Sequence, residues 1–181
     1  MSSHNSGIGL QRGVVKIVRY RKEWAVLYRA EAEKLKNCIG DIAVDIQQVG
    51  SPAVPGLISK PIIDIAIAVN SREAISAVVK HLSDICYIDK GDQRAGGGYL
   101  LVKESEPDVR IFHIHIVEIN DVQWRNYINF RDCLRRDANT RKEYAQLKRT
   151  LAAKFPTDRE SYTSGKEQFI RMVLAKINNV E

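Results

Sequence analysis

The stretch Val49-Gly50-Ser51-Pro52-Ala53-Val54-Pro55-Gly56-Leu57, with Lys60-Pro61-Ile62-Ile63-Asp64-Ile65-Ala66-Ile67-Ala68-Val69 close behind it, decides how this chain folds. A Gly-Ser turn opens a loop of small residues, and a lysine leads from the loop into a strand over 61–69. The strand is apolar on both faces, which argues for a central, covered position in a sheet. Its one acid is Asp64. A lone carboxylate in an apolar strand is costly, so Asp64 needs a partner, a metal or a solvent-filled cleft. Period-two geometry puts Asp64, Ala66 and Ala68 on one face and Ile63, Ile65 and Ile67 on the other. The small residues leave room above the acid, for a ligand or for a closely packed helix. We read Asp64 as functional, the bland alternative being a buried pair with Lys60 or a histidine.

Around this strand the pattern is mixed. Helical spacing runs from Trp24 to Ile39 and stops at Gly40, a residue suited to a left-handed cap. Ile42 to Val49 reads as a strand entering the Gly-Ser turn. Asn70 or Ser71 caps a helix over 72–82. Tyr87-Ile88-Asp89 and Tyr99 to Lys103 are two strands joined by a glycine-rich segment, Gly91 to Gly98, expected as a mobile hairpin loop. That segment has no Gly-Lys-Ser/Thr and no strand-to-helix setting, so it is not a Walker loop. Val109 to Ile119 is another strand, alternating Ile111, His113, His115 and Val117 against Phe112, Ile114, Ile116 and Glu118. Helices are expected over 121–135, over 139–154, and from Thr157 or Asp158 through Ile177. Strands first and helices last make an α+β chain, with a helical C-terminal subdomain over about 121–178. Residues 1–13 are expected as a flexible tail ahead of one domain over 14–181.

The 181 residues allow one well-buried core, and no apolar run reaches the length of a membrane span. Three scattered cysteines make neither a zinc pattern nor a disulfide framework and suit a cytoplasmic protein. The net charge of +6 is uneven, with thirteen Lys/Arg against eight Asp/Glu in residues 121–181. Such an excess attracts an anionic partner or is a solvated helical surface. No RNA-binding motif accompanies it, so a nucleotide or phosphorylated metabolite is expected rather than nucleic acid. Oligomeric state has no signature here.

Several residues are suited to chemistry. His113 and His115 share a strand face, where imidazoles bind metals, move protons or, when charged, hold phosphate. Glu118 lies opposite by alternation and reaches that face only if the strand bulges near Val117. Gly50 and Ser51 offer backbone N–H groups and a hydroxyl to an anion. Lys148 follows Tyr144 by four residues, and Lys166 follows Tyr162 by four, so each pair shares a helical face.

Four segments, VGSPAVPGL…KPIIDIAIAV, FHIHIVE, FRDCLR…EYAQLKRTLAAKF and DRESYTSGKEQFI, resemble the GrpB family of predicted nucleotidyltransferases. The resemblance runs in order from about Val14 to Ile177. It implies the polymerase-beta-type nucleotidyltransferase fold, a short mixed sheet flanked by helices. In that superfamily a Gly-Ser turn holds the triphosphate, and a D-x-D pair plus a third acid binds two divalent metals. The resemblance therefore implies Gly50 and Ser51 as the turn and Asp64 as the first metal ligand. It makes Lys148, Tyr162 and Lys166 candidates for closing over the cleft with cationic and hydroxyl groups, the alternative being that Tyr144 and Tyr162 pack the subdomain and the lysines are solvated. Lys60, just ahead of the Asp64 strand, is expected at the phosphate as well.

The chain departs from this pattern at the second acid, which is Ala66, and at the third, where His113 and His115 stand. Gln47-Gln48 and Pro52 replace the usual Glu-His before the turn and threonine after it. One aspartate with imidazoles suits Mg²⁺ poorly and Zn²⁺ or Mn²⁺ better, through Asp64, His113, His115 and, if it bends in, Glu118. The expectation divides between two functions. One is nucleotidyl transfer from an NTP to an acceptor, with Asp64, His113 and His115 catalytic. The other is a non-catalytic phospho-ligand-binding or regulatory protein that has lost the metal pair.

Overall fold

Strand β3 (Ile63–Val69) lies inside a six-stranded sheet and is buried along its length except at Asp64. The computed structural model describes residues 7–93 and 98–178. The strands are β1 (Leu10–Gln11), β2 (Ala43–Val49), β3, β4 (Ile88–Asp92), β5 (Tyr99–Glu106) and β6 (Val109–Glu118). Their spatial order is β2-β3-β6-β5-β4, with β1 paired to the start of β6. Among the described residues only β3 and β6 pair in parallel. The crossover between them carries α2 (Arg72–Ser83), while α1 (Glu23–Ile39) precedes β2. The chain is α+β, a mixed sheet flanked by helices.

The isoleucine face of β3 packs on these two helices. Ile63, Ile65 and Ile67 have no exposed surface and join Trp24, Leu35, Val78, Leu82 and Ile114 in the main core. Each such isoleucine contributes roughly 1.5–3 kcal/mol by leaving water. The other face carries Ala66 and Ala68, and helix α3 (Val122–Arg136) lies directly on them through Trp124. The small residues of that face therefore admit a helix over most of its length. Room for a ligand remains at the Asp64 end.

After α3 come α4 (Ala138–Lys154), α5 (Arg159–Ser164) and α6 (Glu167–Asn178). Asp121, Asp137 and Asp158 cap α3, α4 and α5 by accepting backbone N–H bonds. The single last helix expected from Asp158 onward is instead two. The break falls at Gly165-Lys166, where a Cβ on Gly165 would stand 2.5 Å from Leu151 of α4. Leu151 of α4 thus packs closely against the bend, and Lys166 beside it lines the cleft.

The expected tail over 1–13 is also shorter where it is described. Leu10 is buried against β6, and the Gly9 N–H donates to the Pro61 carbonyl at 2.7 Å. Pairing satisfies backbone groups that a polar, glycine-rich segment would otherwise leave to water. Residues 94–97, the middle of the segment expected as a mobile hairpin loop, lie outside the described residues.

Candidate functional site

Gly50 leaves β2 with φ +69°, a left-handed conformation that glycine adopts without strain. The turn is braced from behind. Gln48 is buried and donates to the Pro52 carbonyl at 3.4 Å, and Arg131 donates to the Gln47 side chain and the Gln48 carbonyl. Gln47 and Gln48, the two departures before the turn, therefore hold it in place. A Cβ on Gly50 would meet Asp64 Oδ2 at 2.7 Å. Gly50→Ala is accordingly expected to cost about 1–3 kcal/mol from the backbone conformation and the clash. A fall in melting temperature checks it, and a melting temperature within 1 °C of the parent would mean that the turn is not rigid.

The turn, Asp64 and the C-terminal helices enclose a cleft of about 760 Å³. Parallel pairing sets Asp64 beside His113 and Ala66 beside His115, so both imidazoles project on the face of the acid. His113 Nδ1 lies 3.0 Å and His115 Nε2 3.6 Å from Asp64 Oδ1. Burial would raise the Asp64 carboxyl, but the hydrogen bonds from His113 and His115 outweigh it and hold the group ionised. Burial also lowers the His113 imidazole to about 4, against the pull of Asp64. Near neutrality His113 therefore reaches Asp64 as an N–H dipole rather than as a cation.

Cations crowd the opposite wall. Lys148, 1% exposed, donates to Ser51 Oγ at 2.9 Å and to the Ile58 carbonyl, and its Nζ stands over the Tyr144 ring. Burial, then the charges of Lys166 and Arg149, lowers its ammonium to about 6. Lys166 and Lys60 both stand over the Tyr162 ring, at 4.7 and 5.5 Å. Burial lowers Lys166 to about 8 in spite of Asp64, and burial with the charges of Lys166 and Arg159 holds Lys60 well below its ordinary value. Gly50, Ser51, Lys60, Lys148, Tyr162 and Lys166, all expected at a phosphate, thus line one cleft.

Glu118 is a correction. Its expected approach required a bulge near Val117, but β3 and β6 stay in register through Val69 and Glu118, which leaves it on the far face. The bulge lies at the other end of β6. Lys103 pairs with Phe112 and Glu104 with Arg110, so Ile111 is an extra residue. The insertion moves Ile111, grouped with the histidines by alternation, onto the main core and brings Arg110 to the cleft.

Arg159 was also missed. It follows the Asp158 cap, three residues before Tyr162, and its Nη2 lies 3.3 Å from His113 Nε2. The i,i+3 spacing to Tyr162 was the available signal. Arg159 Nη1 and Arg110 Nε are buried without a hydrogen-bond partner among the described residues.

A pair of Mg²⁺ ions needs several hard oxygens. Ala66 is fully buried beneath Trp124 and supplies none, and the third corner is imidazole nitrogen. The residues present do not fit the fold's magnesium pair. Asp64, His113 and His115 do bring one ligand atom each within 4.8 Å of the others, spacing that a single softer ion would accept.

The family model for the GrpB protein matches residues 14–176. The chain belongs to the GrpB family. It is 33% identical over 170 residues to the glutamate-rich protein GrpB of Alkalihalophilus pseudofirmus, covering 92% of this chain and 98% of that one. The crystal structure of conserved protein GrpB from Enterococcus faecalis superimposes with a TM-score of 0.79 at 27% identity, covering 89% and 96% of the two chains. The Cid1 poly(U) polymerase with magnesium and 3′-dATP matches at a TM-score of 0.52 and 17% identity. That match covers 81% of this chain and 49% of Cid1, so this chain spans about half of that enzyme, and the likeness is one of fold. No described helix is long and apolar enough to cross a membrane.

Proposed function

We propose that the cleft binds a nucleotide or another phosphorylated small molecule through its phosphate groups. One observation carries this reading: Lys60, Lys148, Arg159 and Lys166 converge on a cleft beside Asp64, and Arg159 Nη1 is buried and unpaired. Buried like charges depress one another unless a counter-ion joins them. A polyanion supplies that counter-charge and finds the Gly50-Ser51 turn as its cradle. Free cysteines at 38, 86 and 133 agree with the reducing cytoplasm as the place of action.

Thermal shift with inorganic triphosphate, ATP, CTP, GTP and UTP tests the reading. At least one should raise the melting temperature of the wild type by several degrees, with the gain lost in Arg159→Gln; no shift with any probe would end it. Binding should also weaken as pH rises. Lys148 at about 6 and Lys166 at about 8 must carry protons to meet the anion, so log K falls by up to about one per pH unit for each proton taken up. Calorimetry from pH 6 to pH 9 measures this slope, and a flat profile removes the two lysines from the contact.

Likeness of fold supports nucleotidyl transfer from an NTP as the finer reading. The incomplete acid set favours a second one, a phospho-ligand-binding protein without catalysis. Pyrophosphate released from an NTP by the wild type but not by Asp64→Ala would decide for transfer, and binding without release would decide for the second.

A further inference from the structure

Arginine has five N–H donors and no acceptor. The 3.3 Å contact between Arg159 Nη2 and His113 Nε2 therefore places the ring's lone pair on Nε2. In the neutral ring the proton then sits on Nδ1, which points at Asp64 Oδ1 from 3.0 Å. A protonated Nδ1 has no lone pair for a metal ion. The three side chains form a directed chain in which the guanidinium donates to the imidazole and the imidazole donates to the carboxylate.

Three further observations agree. The same carboxylate oxygen faces His115 Nε2 at 3.6 Å, so it is engaged from both sides by imidazole. Ala66, at the second acid position, has no oxygen to offer and lies beneath Trp124. The basic side chains outnumber the acids: Lys60, Arg110, Lys148, Arg159 and Lys166 line the cleft with Asp64, Glu160 and Glu167, and a dication would enter against the excess.

The geometry points to a cleft that takes its phosphorylated ligand as the free polyanion, without a divalent ion. Asp64 and His113 act as positioning residues that aim Arg159 at the anion. Arg159 Nη2 is committed to His113, and Nη1, buried without a hydrogen-bond partner among the described residues, keeps its donors for a phosphate oxygen. The inference rests on the anion-binding reading above and gives it a ligand class: a polyphosphate or phosphate ester that is not complexed to metal. Where the fold's chemistry would neutralise the triphosphate with two Mg²⁺ ions, this chain does so with buried lysines and arginines.

Calorimetry with inorganic triphosphate tests it, once in EDTA and once in excess Mg²⁺, with Mn²⁺ and Zn²⁺ titrated separately without the anion. Triphosphate should bind in EDTA, and excess Mg²⁺ should weaken it several-fold by withdrawing the free polyanion. Arg159→Lys keeps the charge but lacks the planar fork that reaches His113 and the anion together. It should lose at least tenfold in affinity, whereas a role of charge alone would leave it close to wild type and overturn the positioning chain. Binding seen only with Mg²⁺, Mn²⁺ or Zn²⁺ would overturn metal independence while leaving anion binding intact. So would saturable Zn²⁺ binding in the wild type that is lost in His115→Asn. Triphosphate bound under neither condition would remove the anion-binding reading itself.

Discussion

Lys148→Met should abolish triphosphate binding and leave an unliganded protein that melts a few degrees higher than the parent. The side chain is 1% exposed, and burial with neighbouring positive charge lowers its ammonium to about 6. Because the lysine is near its ordinary value in the unfolded chain, the unfolded state holds more protons between about pH 6 and pH 10. Stability therefore rises with pH across that window. At pH 7 the penalty of keeping this lysine folded is roughly 4 kcal/mol. Against it stand two hydrogen bonds, to Ser51 Oγ and the Ile58 carbonyl. Losing them costs roughly 1–3 kcal/mol, including the desolvated carbonyl left behind. Methionine fills a similar volume without a charge, so the balance favours the variant by about 1–3 kcal/mol, or ~2–12 °C at this chain length. The difference should shrink as pH approaches 10, where the lysine of the unfolded chain begins to lose its proton as well. Scanning calorimetry at pH 7 and pH 9.5 with triphosphate titration makes the measurement. A variant less stable than the parent at pH 7 would show that Lys148 is a structural brace and not a waiting ligand group.

Such opposition between stability and binding explains why some of the site was legible in the sequence and some was not. Asp64 stood out because a carboxylate in an apolar run contradicts its surroundings, and strict alternation then fixed which residues shared its face. The histidines followed for the same reason. Parallel neighbours in register carry side chains to the same side, and β3 and β6 hold register from Ile63 to Val69. Arg110 escaped because one inserted residue at Ile111 reverses the alternation beyond it, and nothing in period-two patterning marks an insertion. Arg159 escaped because its position depends on how α5 docks against α4, a tertiary contact that local patterning does not carry. The spacing of Lys148 from Tyr144 was readable, but its burial was not. A lysine on a helix surface is ordinarily solvated, and only the packing of α4 over the Gly-Ser turn takes water from it.

Asp64→Ala should destabilise the unliganded protein by roughly 3–5 kcal/mol, a fall of about 10 °C, opposite in sign to Lys148→Met although both residues line the same cleft. Its side chain is 27% exposed, so the carboxylate keeps most of its strength against the nearby imidazoles and cations. Removing it takes the acceptor from His113 and the neighbouring negative charge from His115, and leaves Lys60, Lys166 and Arg159 without this counter-charge. The sign depends on this composition. In an empty site built from several acids, removing one relieves repulsion and raises stability, as a vacant metal pair would require. Here the acid stands among cations, so its loss adds repulsion. Because the folded carboxyl is held below its unfolded value, its contribution is complete above about pH 4 and is lost as pH falls through the folded range. The gap between wild type and variant should therefore hold from pH 7 to pH 5, shrink toward pH 8 and above as Lys166 loses its proton, and narrow below pH 4. Asp64→Asn separates charge from shape. It keeps the volume and one oxygen, and it should fall nearly as far as alanine, because the negative charge on Oδ1 is what the cleft's cations lose. A variant as stable as the wild type, or more so, would mean that Asp64 is an unpaired ligand held for a metal, and the metal-free reading of the cleft would fall with it.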